Sequence, residues 1–320
     1  MKQIKYRIRQ SANDVLWLCK QPLRLYKTLT FRDDLCEEAV KLAVVSIIKN
    51  EADYIEEWLD YHLFAGVEKF YLYDNESDDR TKKILEPYIE QKLVEYIFFP
   101  GRARQIPAYN DALKRTRKMA RYVAFIDADE FLYPCSDSGT VAEKEKQISG
   151  TLPGIVDELI RQVPGAGGLA VNWRMFGSSH FLKKPEGGVL QNFLYRAKED
   201  GMGNECIKTI VNPRAVFCFN HVHYPEYLYG RHSVDENGKV VRGWKHPVIR
   251  TKKIRINHYF TKSKEEWIQR RSIGKADSGD KNDIRTMEEF YEHDNNDIWD
   301  DGMLRVLKAM KENMHCHYEN

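Results

Sequence analysis

An apolar run, Tyr122-Val123-Ala124-Phe125-Ile126, leads straight into Asp127-Ala128-Asp129-Glu130-Phe131. Two carboxylates delivered by one short segment are hard oxygen donors. They suit Mg²⁺ or Mn²⁺, ions commonly shared with substrate phosphates. Side chains alternate along an extended chain, so an extended D-x-D would turn Asp127 and Asp129 toward the same side. A polar strand end carrying two solvated acids would read the same in isolation. The neighbours tip the balance. Lys49-Asn50-Glu51 follows one apolar run, and Asp74-Asn75 with Asp78-Asp79 follows a second. Gly101-Arg102-Ala103-Arg104-Gln105-Ile106-Pro107-Ala108-Tyr109-Asn110 follows a third. An acid at such an edge can accept hydrogen bonds from a base or ribose, and Arg102 or Arg104 can offset diphosphate charge.

The elements that must position these groups read clearly over the first half. Leu42–Ile48 is a continuous β-branched run, as in a strand buried on both faces. Asn50 takes the N-cap position of a helix bearing Ile55, Trp58, Leu59 and Leu63 at helical spacing. Lys69–Tyr73 is a second strand, and Ile84, Leu85, Tyr88 and Ile89 mark the next helix. Leu93–Phe99 is a third strand closed by Pro100-Gly101, a helix follows over 105–119, and Tyr122–Ile126 is the fourth strand. This alternation specifies an α/β fold with a mostly parallel sheet, flanked by helices and joined by right-handed crossovers. Ligands in that architecture bind outside the carboxyl ends of the strands, where all four polar clusters lie.

After Pro134 the rhythm is lost. A helix is expected over 140–160, a strand over Gly168–Trp173, mixed short strands over 185–260, a strand over Ile254–Asn257 before His258, and a helix over Lys264–Arg271. The organisation is a basic helical segment over 1–40, a catalytic domain over 41–275 (nucleotide half 41–135, acceptor half 136–275) and a helical appendage over 276–320.

Composition excludes several classes. Charged residues at 31% and hydrophobic residues at 42% rule out a disordered chain. No apolar run is long enough to cross a bilayer, and no signal peptide is read at Met1. A net charge of +2 gives no argument for nucleic acid, and the basic run Lys114–Arg121 reads as a solvated helix face. Six cysteines without a C-x-x-C pair read as reduced thiols. His315-Cys316-His317 reads as a polar terminus, not a metal site. Residues 1–32 stand apart: Lys2, Lys5, Arg7, Arg9, Lys20, Arg24, Lys27 and Arg32 face a single acid, Asp14. Leucines are interleaved with them, so the segment reads either as a helix packed on the domain or as a basic amphipathic stretch for an anionic membrane surface.

The ordered set of motifs resembles glycosyltransferase family 92, and related family-2-like enzymes of the GT-A fold. It comprises V-V-S-I-I-K-N-E, Y-L-Y-D-N-E-S-D-D, Q-x₂-A-Y-N-D-A-L and F-I-D-A-D-E-F, then Val171–His180, Lys208–Pro213 and Asn257-His258-Tyr259, over about residues 42–275. The resemblance implies a metal-dependent transfer of a hexose from a nucleotide donor, a UDP-sugar, to a saccharide or lipid-linked saccharide, with inversion. It places Mn²⁺ or Mg²⁺ on Asp127, Asp129 and His258. It sets Asn50, Glu51 and Asp74 toward the nucleoside, and Arg102, Gln105, Tyr109, Asn110 and Asp127 toward the sugar diphosphate. Trp173, Phe176 and His180 become the acceptor platform, with Trp173 equally readable as core. Asp129 and Glu205 form the catalytic group, Glu205 as base. Amides at Gln191 and Asn192 depart from the family pattern, which has an acid there, and leave the base open to other acids. His221 and His223 alternate and read as polar lining of the acceptor side. A cytoplasmic location follows, with the inner face of the membrane as a peripheral site.

Two other classes compete. A non-catalytic glycan- or nucleotide-binding protein of the same fold would lack metal-dependent nucleotide affinity. A haloacid-dehalogenase-type phosphohydrolase also uses D-x-D, but on its first strand. Here the motif follows three strand–helix units, and Gly279–Asp283 has no apolar strand before it.

Overall fold

The computed structural model describes residues 18–135, 152–271 and 284–318. A helix, α1 (residues 18–29), comes first. Strand and helix then alternate as expected: β1 (Val40–Ile48), α2 (Ile55–Phe64), β2 (Lys69–Asp74), α3 (Thr81–Glu90), β3 (Val94–Phe98), α4 (Gln105–Thr116) and β4 (Ala120–Phe125). The less regular half contains β5 (Glu130–Pro134), α5 (Leu152–Arg161), β6 (Ala166–Met175), α6 (Val189–Asn192), β7 (Tyr195–Arg196) and β8 (Ile207–Val211). After these come β9 (Val216–Phe219), β10 (Pro225–Tyr227), β11 (His232–Val234), β12 (Val240–Val241) and β13 (Ile254–His258). The chain closes with α7 (Lys264–Arg271), α8 (Met287–His293), β14 (Ile298–Trp299) and α9 (Gly302–Tyr318). The first part of the helix expected over 140–160 lies outside the described residues, as do Met1–Trp17, Gly279–Asp283 and the side chains of His315-Cys316-His317.

β1 sits between β2 and β4, with β3 outside β2, and all three pairings are parallel. β8 then enters antiparallel beside β4, and β6 lies antiparallel beyond it. The main order is β12-β11-β6-β8-β4-β1-β2-β3, a mostly parallel sheet in its first half with one reversed strand inserted. This is the helix-flanked α/β fold class expected from the alternation. Alternate residues of β1 feed two cores: Leu42 and Val44 pack with Trp58 and Leu59 of α2, while Ala43 and Val45 pack with Ala108 and Leu113 of α4. Each such large side chain removed from water contributes about 1.5–3 kcal/mol.

Two pairings outside the parallel half matter for the site. β13 lies antiparallel to β5 and parallel to the end of β6, so His258 stands opposite both Glu130 and Met175. β8 runs against β4, pairing Ile210 with Ala124, so its earlier residue Lys208 reaches past the carboxyl end of β4.

Asn50 is not a helix cap. Its backbone is left-handed (φ 57°), a turn intervenes, and α2 begins only at Ile55 after a Tyr54 cap without a side-chain bond. The reason is a loop-to-loop tie. Asn50 Nδ2 donates to Asp78 Oδ1 at 2.7 Å, and its Oδ1 accepts from the Asp78 amide at 2.9 Å.

Candidate active site

β4 delivers Asp127 to the carboxyl edge of the sheet, but the chain does not remain extended. Ala128 and Asp129 form a turn, with the Glu130 amide donating to Asp127 O at 3.1 Å. The two aspartates consequently answer to different partners. Asp127 Oδ1 accepts from Gln105 Nε2 at 2.8 Å, and Oδ2 pairs with Lys208 Nζ at 2.8 Å. Asp129 Oδ1 lies 3.4 Å from His258 Nε2, and Oδ2 accepts from Arg270 at 3.0 Å. The shared orientation expected of an extended D-x-D is thus replaced by two adjoining sites.

Electrostatics sharpen the contrast. Burial works to raise the Asp129 carboxyl, but His258, Arg270 and Lys262 outweigh it and hold the group well below the usual carboxylate range. Glu130, fully buried, is pushed well above its ordinary value by desolvation, with Lys208 opposing. Burial disfavours the charge on Lys208, yet Asp127 and Glu130 outweigh it and hold the ammonium up. His223 is pushed down to about 3 by burial and by Lys208, so that imidazole is neutral. Beside this lies a second charged cluster. Lys262 has left-handed backbone (φ 51°) and sits 4.2 Å over the Tyr54 ring. Tyr54 donates to Glu266 at 2.5 Å. Burial raises the Glu51 carboxyl, with Lys262 and Arg270 opposing.

The residues expected at the donor side divide into two groups. Gln105 and Tyr109 are buried and join Asp127: Gln105 Nε2 also donates to Tyr109 OH at 3.0 Å. Glu51 faces the Lys262–Arg270 charges. Asp74 is buried, with one oxygen accepting from the Ser77 amide at 2.9 Å and the other from Tyr96 OH at 2.5 Å, so it also anchors its loop. Asn50 is spent on Asp78. Asn110 fastens the β9–β10 hairpin through Phe219, donating to its carbonyl at 2.8 Å and accepting from its amide at 2.9 Å. Arg102 is exposed at the edge of the loop, and Arg104 lies 4.4 Å over Phe99.

On the acceptor side, Trp173 packs edge-on against His258, ring centroids 4.3 Å apart, and against His223 at 5.1 Å. His221 stacks on the partly exposed Trp244, completing a wall of rings that leads away from Asp129. Phe176 is corrected to core: it is 1% exposed and packs on Tyr259. His180 is exposed with φ 66° and lines a separate cavity of about 360 Å³ with Phe181, Lys264 and Tyr291. Glu205 has both oxygens engaged, one with Lys245 at 2.7 Å and one with the Gly203 amide at 3.0 Å. Burial raises its carboxyl, but Lys245 outweighs this and holds it below the usual range, making it a weaker proton acceptor than a free glutamate.

Asp129 with His258 supplies an oxygen and a nitrogen donor of the kind a divalent cation takes, and His258 Nδ1 is buried without a partner. Among the described residues no three His, Cys, Asp or Glu side chains converge to hold an ion. The donor chemistry of this pair would suit a divalent cation whose further ligands came from elsewhere than these two side chains. Lys208, Glu130, Lys262 and Arg270 escaped the sequence reading. Lys208 alone carried a signal, as the one charged side chain in the apolar strand Ile207–Val211.

Comparison with known proteins gives one consistent picture. The family model described as Glycosyltransferase family 92 matches residues 44–292. A glycosyltransferase family 92 protein from Ricinus communis is 25% identical over 75% of this chain and 42% of its own length. One from Oryza sativa subsp. japonica is 22% identical over 75% of this chain and 39% of its own. The chain thus spans about two-fifths of the length of these relatives. Among solved structures, S. aureus TarS is similar with a TM-score of 0.32 and 18% identity, over 54% of this chain and 47% of that one.

Proposed function

The chain belongs to glycosyltransferase family 92, and from that premise we propose that it moves a hexose from a nucleotide donor, a UDP-sugar, to a hydroxyl of a saccharide or lipid-linked saccharide. The observation that carries this reading is the meeting, at the carboxyl edge of the sheet, of Asp127 and Asp129 with the buried Lys208, the partly exposed Arg270 and His258. Breaking an anomeric C–O bond leaves negative charge on a diphosphate and oxocarbenium character on the sugar. Arg270 and Lys262 lie where they can offset the first. The Asp127 carboxylate, one-third exposed and steadied by Gln105, is open to the donor. Mn²⁺ or Mg²⁺ held by Asp129 and His258 would supply Lewis-acid stabilisation of the departing phosphate. Trp173 and the rings of His223 and His221 offer flat faces to an acceptor sugar. Glu205 stands in the same half as the candidate base for an inverting transfer.

The test is calorimetric titration of UDP, with GDP as control, in Mn²⁺ and then in EDTA, on the wild type and on Asp129→Ala. UDP binding that needs both the metal and Asp129 supports the donor site, and a panel of UDP-sugars then identifies the sugar. Absence of nucleotide binding under both conditions overturns the reading.

A further inference from the structure

Helix α1 is built the wrong way round for a surface helix, which ordinarily turns its apolar stripe to the core. Projected at 3.6 residues per turn, Leu18, Pro22, Leu23, Leu25, Tyr26 and Leu29 fall in one arc of about 160°. Lys20, Gln21, Arg24, Lys27 and Thr28 occupy the rest. It is the polar arc that meets the domain. Arg24 Nε donates to Tyr227 O at 2.7 Å, and Arg24 pairs with Glu226 at 3.2 Å. Tyr229 OH donates to Gln21 at 2.6 Å, and the Tyr229 amide donates to Thr28 Oγ1 at 3.0 Å. Lys27 lies 5.4 Å over the Phe217 ring. These bonds fix the helix's rotation and leave the leucines in water: Leu18 is 61% exposed, Leu25 50%, Tyr26 63% and Leu29 77%. A contiguous apolar strip of this kind marks an interaction site.

Charge selects the occupant. Residues 1–32, which hold this helix, carry eight cations against Asp14, whereas the whole chain nets only +2. Lys20 stands exposed at the border of the apolar arc. Apolar side chains flanked by cations match a bilayer with anionic headgroups, where leucines enter the acyl boundary and each lysine or arginine adds to the attraction. No described helix is long and apolar enough to cross a membrane, so contact by this face would be peripheral. We propose that the outward face of α1, Leu18, Leu25, Tyr26 and Leu29, docks the protein on an anionic lipid surface.

The placement has a consequence for the site. α1 rests on the β9–β10 hairpin, whose connecting loop carries His221 and His223. His223 bonds to Ile207 O at 2.8 Å, next to Lys208. One short hairpin therefore links the membrane face to the acceptor side.

The experiment is flotation of the full chain with phosphatidylglycerol–phosphatidylcholine vesicles and with pure phosphatidylcholine vesicles, beside the triple variant Leu18→Ser/Leu25→Ser/Leu29→Ser. The wild type is expected to float with the anionic vesicles only, and the variant to lose about tenfold or more of that binding. Thermal unfolding of the variant should match the wild type, since none of the three side chains is in a core. A wild type that stays in solution, or a variant that floats equally well, overturns the proposal. So does light scattering that finds a dimer which the triple variant converts to monomer, because a second copy then covers the face. UDP titration of the same samples keeps the questions separate. UDP binding without flotation leaves the transferase reading intact, and flotation without UDP binding leaves only the docking.

Discussion

Asp127 and Asp129 are separated by one residue and live in different worlds. The Asp127 side chain is 34% exposed and shares its charge with Lys208 and a neutral amide. Asp129 is 10% exposed and is gripped by an imidazole and a guanidinium. The turn at Ala128 separates them, and different elements supply their partners, β8 and α4 for Asp127, β13 and α7 for Asp129. The lesson is that a short acidic motif has no single environment. One carboxylate can be enclosed by charged partners while its neighbour is left partly exposed.

The largest expected effect tests the more buried carboxylate. Asp129→Asn strands Arg270 in a largely buried site, and losing one partner of such a pair costs about 3 kcal/mol. Urea unfolding should record that loss, and sugar transfer should fall about a hundredfold or more. Asp127→Asn is the matched experiment. It leaves the buried Lys208 facing only Glu130, so it should cost about 2–3 kcal/mol in stability as well, and it should abolish tight metal-dependent UDP binding. Tight UDP binding retained by Asp127→Asn would remove that carboxylate from the donor side.

Lys208→Met reaches both sides of the comparison, since it removes the cation from Asp127 and from the buried Glu130. Glu130 is already biased toward its neutral form, so the expected cost is moderate, about 2 kcal/mol, with UDP affinity falling as Asp127 loses its orientation. An unchanged UDP affinity would show that Gln105 alone positions that carboxylate.

A third buried group gives a pH test. His62 accepts from the Leu132 amide at Nε2 (3.3 Å), so Nδ1 must donate to Trp58 O (2.8 Å), and the ring is neutral. Burial pushes it down to about 3. The unfolded imidazole takes up its proton below about 6.5, whereas the folded one does so only near 3. Stability therefore falls as pH drops between those values, by about 1.4 kcal/mol per unit for this one ring. His62→Phe should flatten that slope in urea titrations at pH 7, 6 and 5. A slope unaltered by the substitution would move the acid sensitivity elsewhere, His223 being the next candidate.

The smallest structural effect belongs to Glu205→Gln, where the paired lysine is exposed and the expected stability change is under about 1 kcal/mol. Its value lies in catalysis. Transfer lost with UDP binding kept would assign Glu205 as the base, and full activity would remove it from that role.

Much of this was legible in the residues themselves. The β-branched run at Leu42–Ile48, the helical spacing of Ile55, Trp58 and Leu59, and the apolar strand before Asp127 are local patterns, and local patterns specify local elements. They specified three strand–helix units, a fourth strand and the carboxyl edge on which Gln105, Tyr109 and Asp127 meet. Asn50 was misread as a helix cap because it bonds to Asp78 of the next loop, and which partner a polar side chain takes depends on what folds against it. Phe176 looked like an aromatic platform because sequence gives residue type without depth. Lys208, Lys262 and Arg270 went unread because each comes from an element distant in sequence, and pairing register across the sheet decides where such groups land. The amphipathicity of residues 18–29 was likewise written in the sequence, but its orientation was not. A helix with one polar and one apolar face can dock by either. Here the bonds of Gln21, Arg24 and Thr28 to the β9–β10 hairpin and its flank decided the matter and left the leucines facing outward.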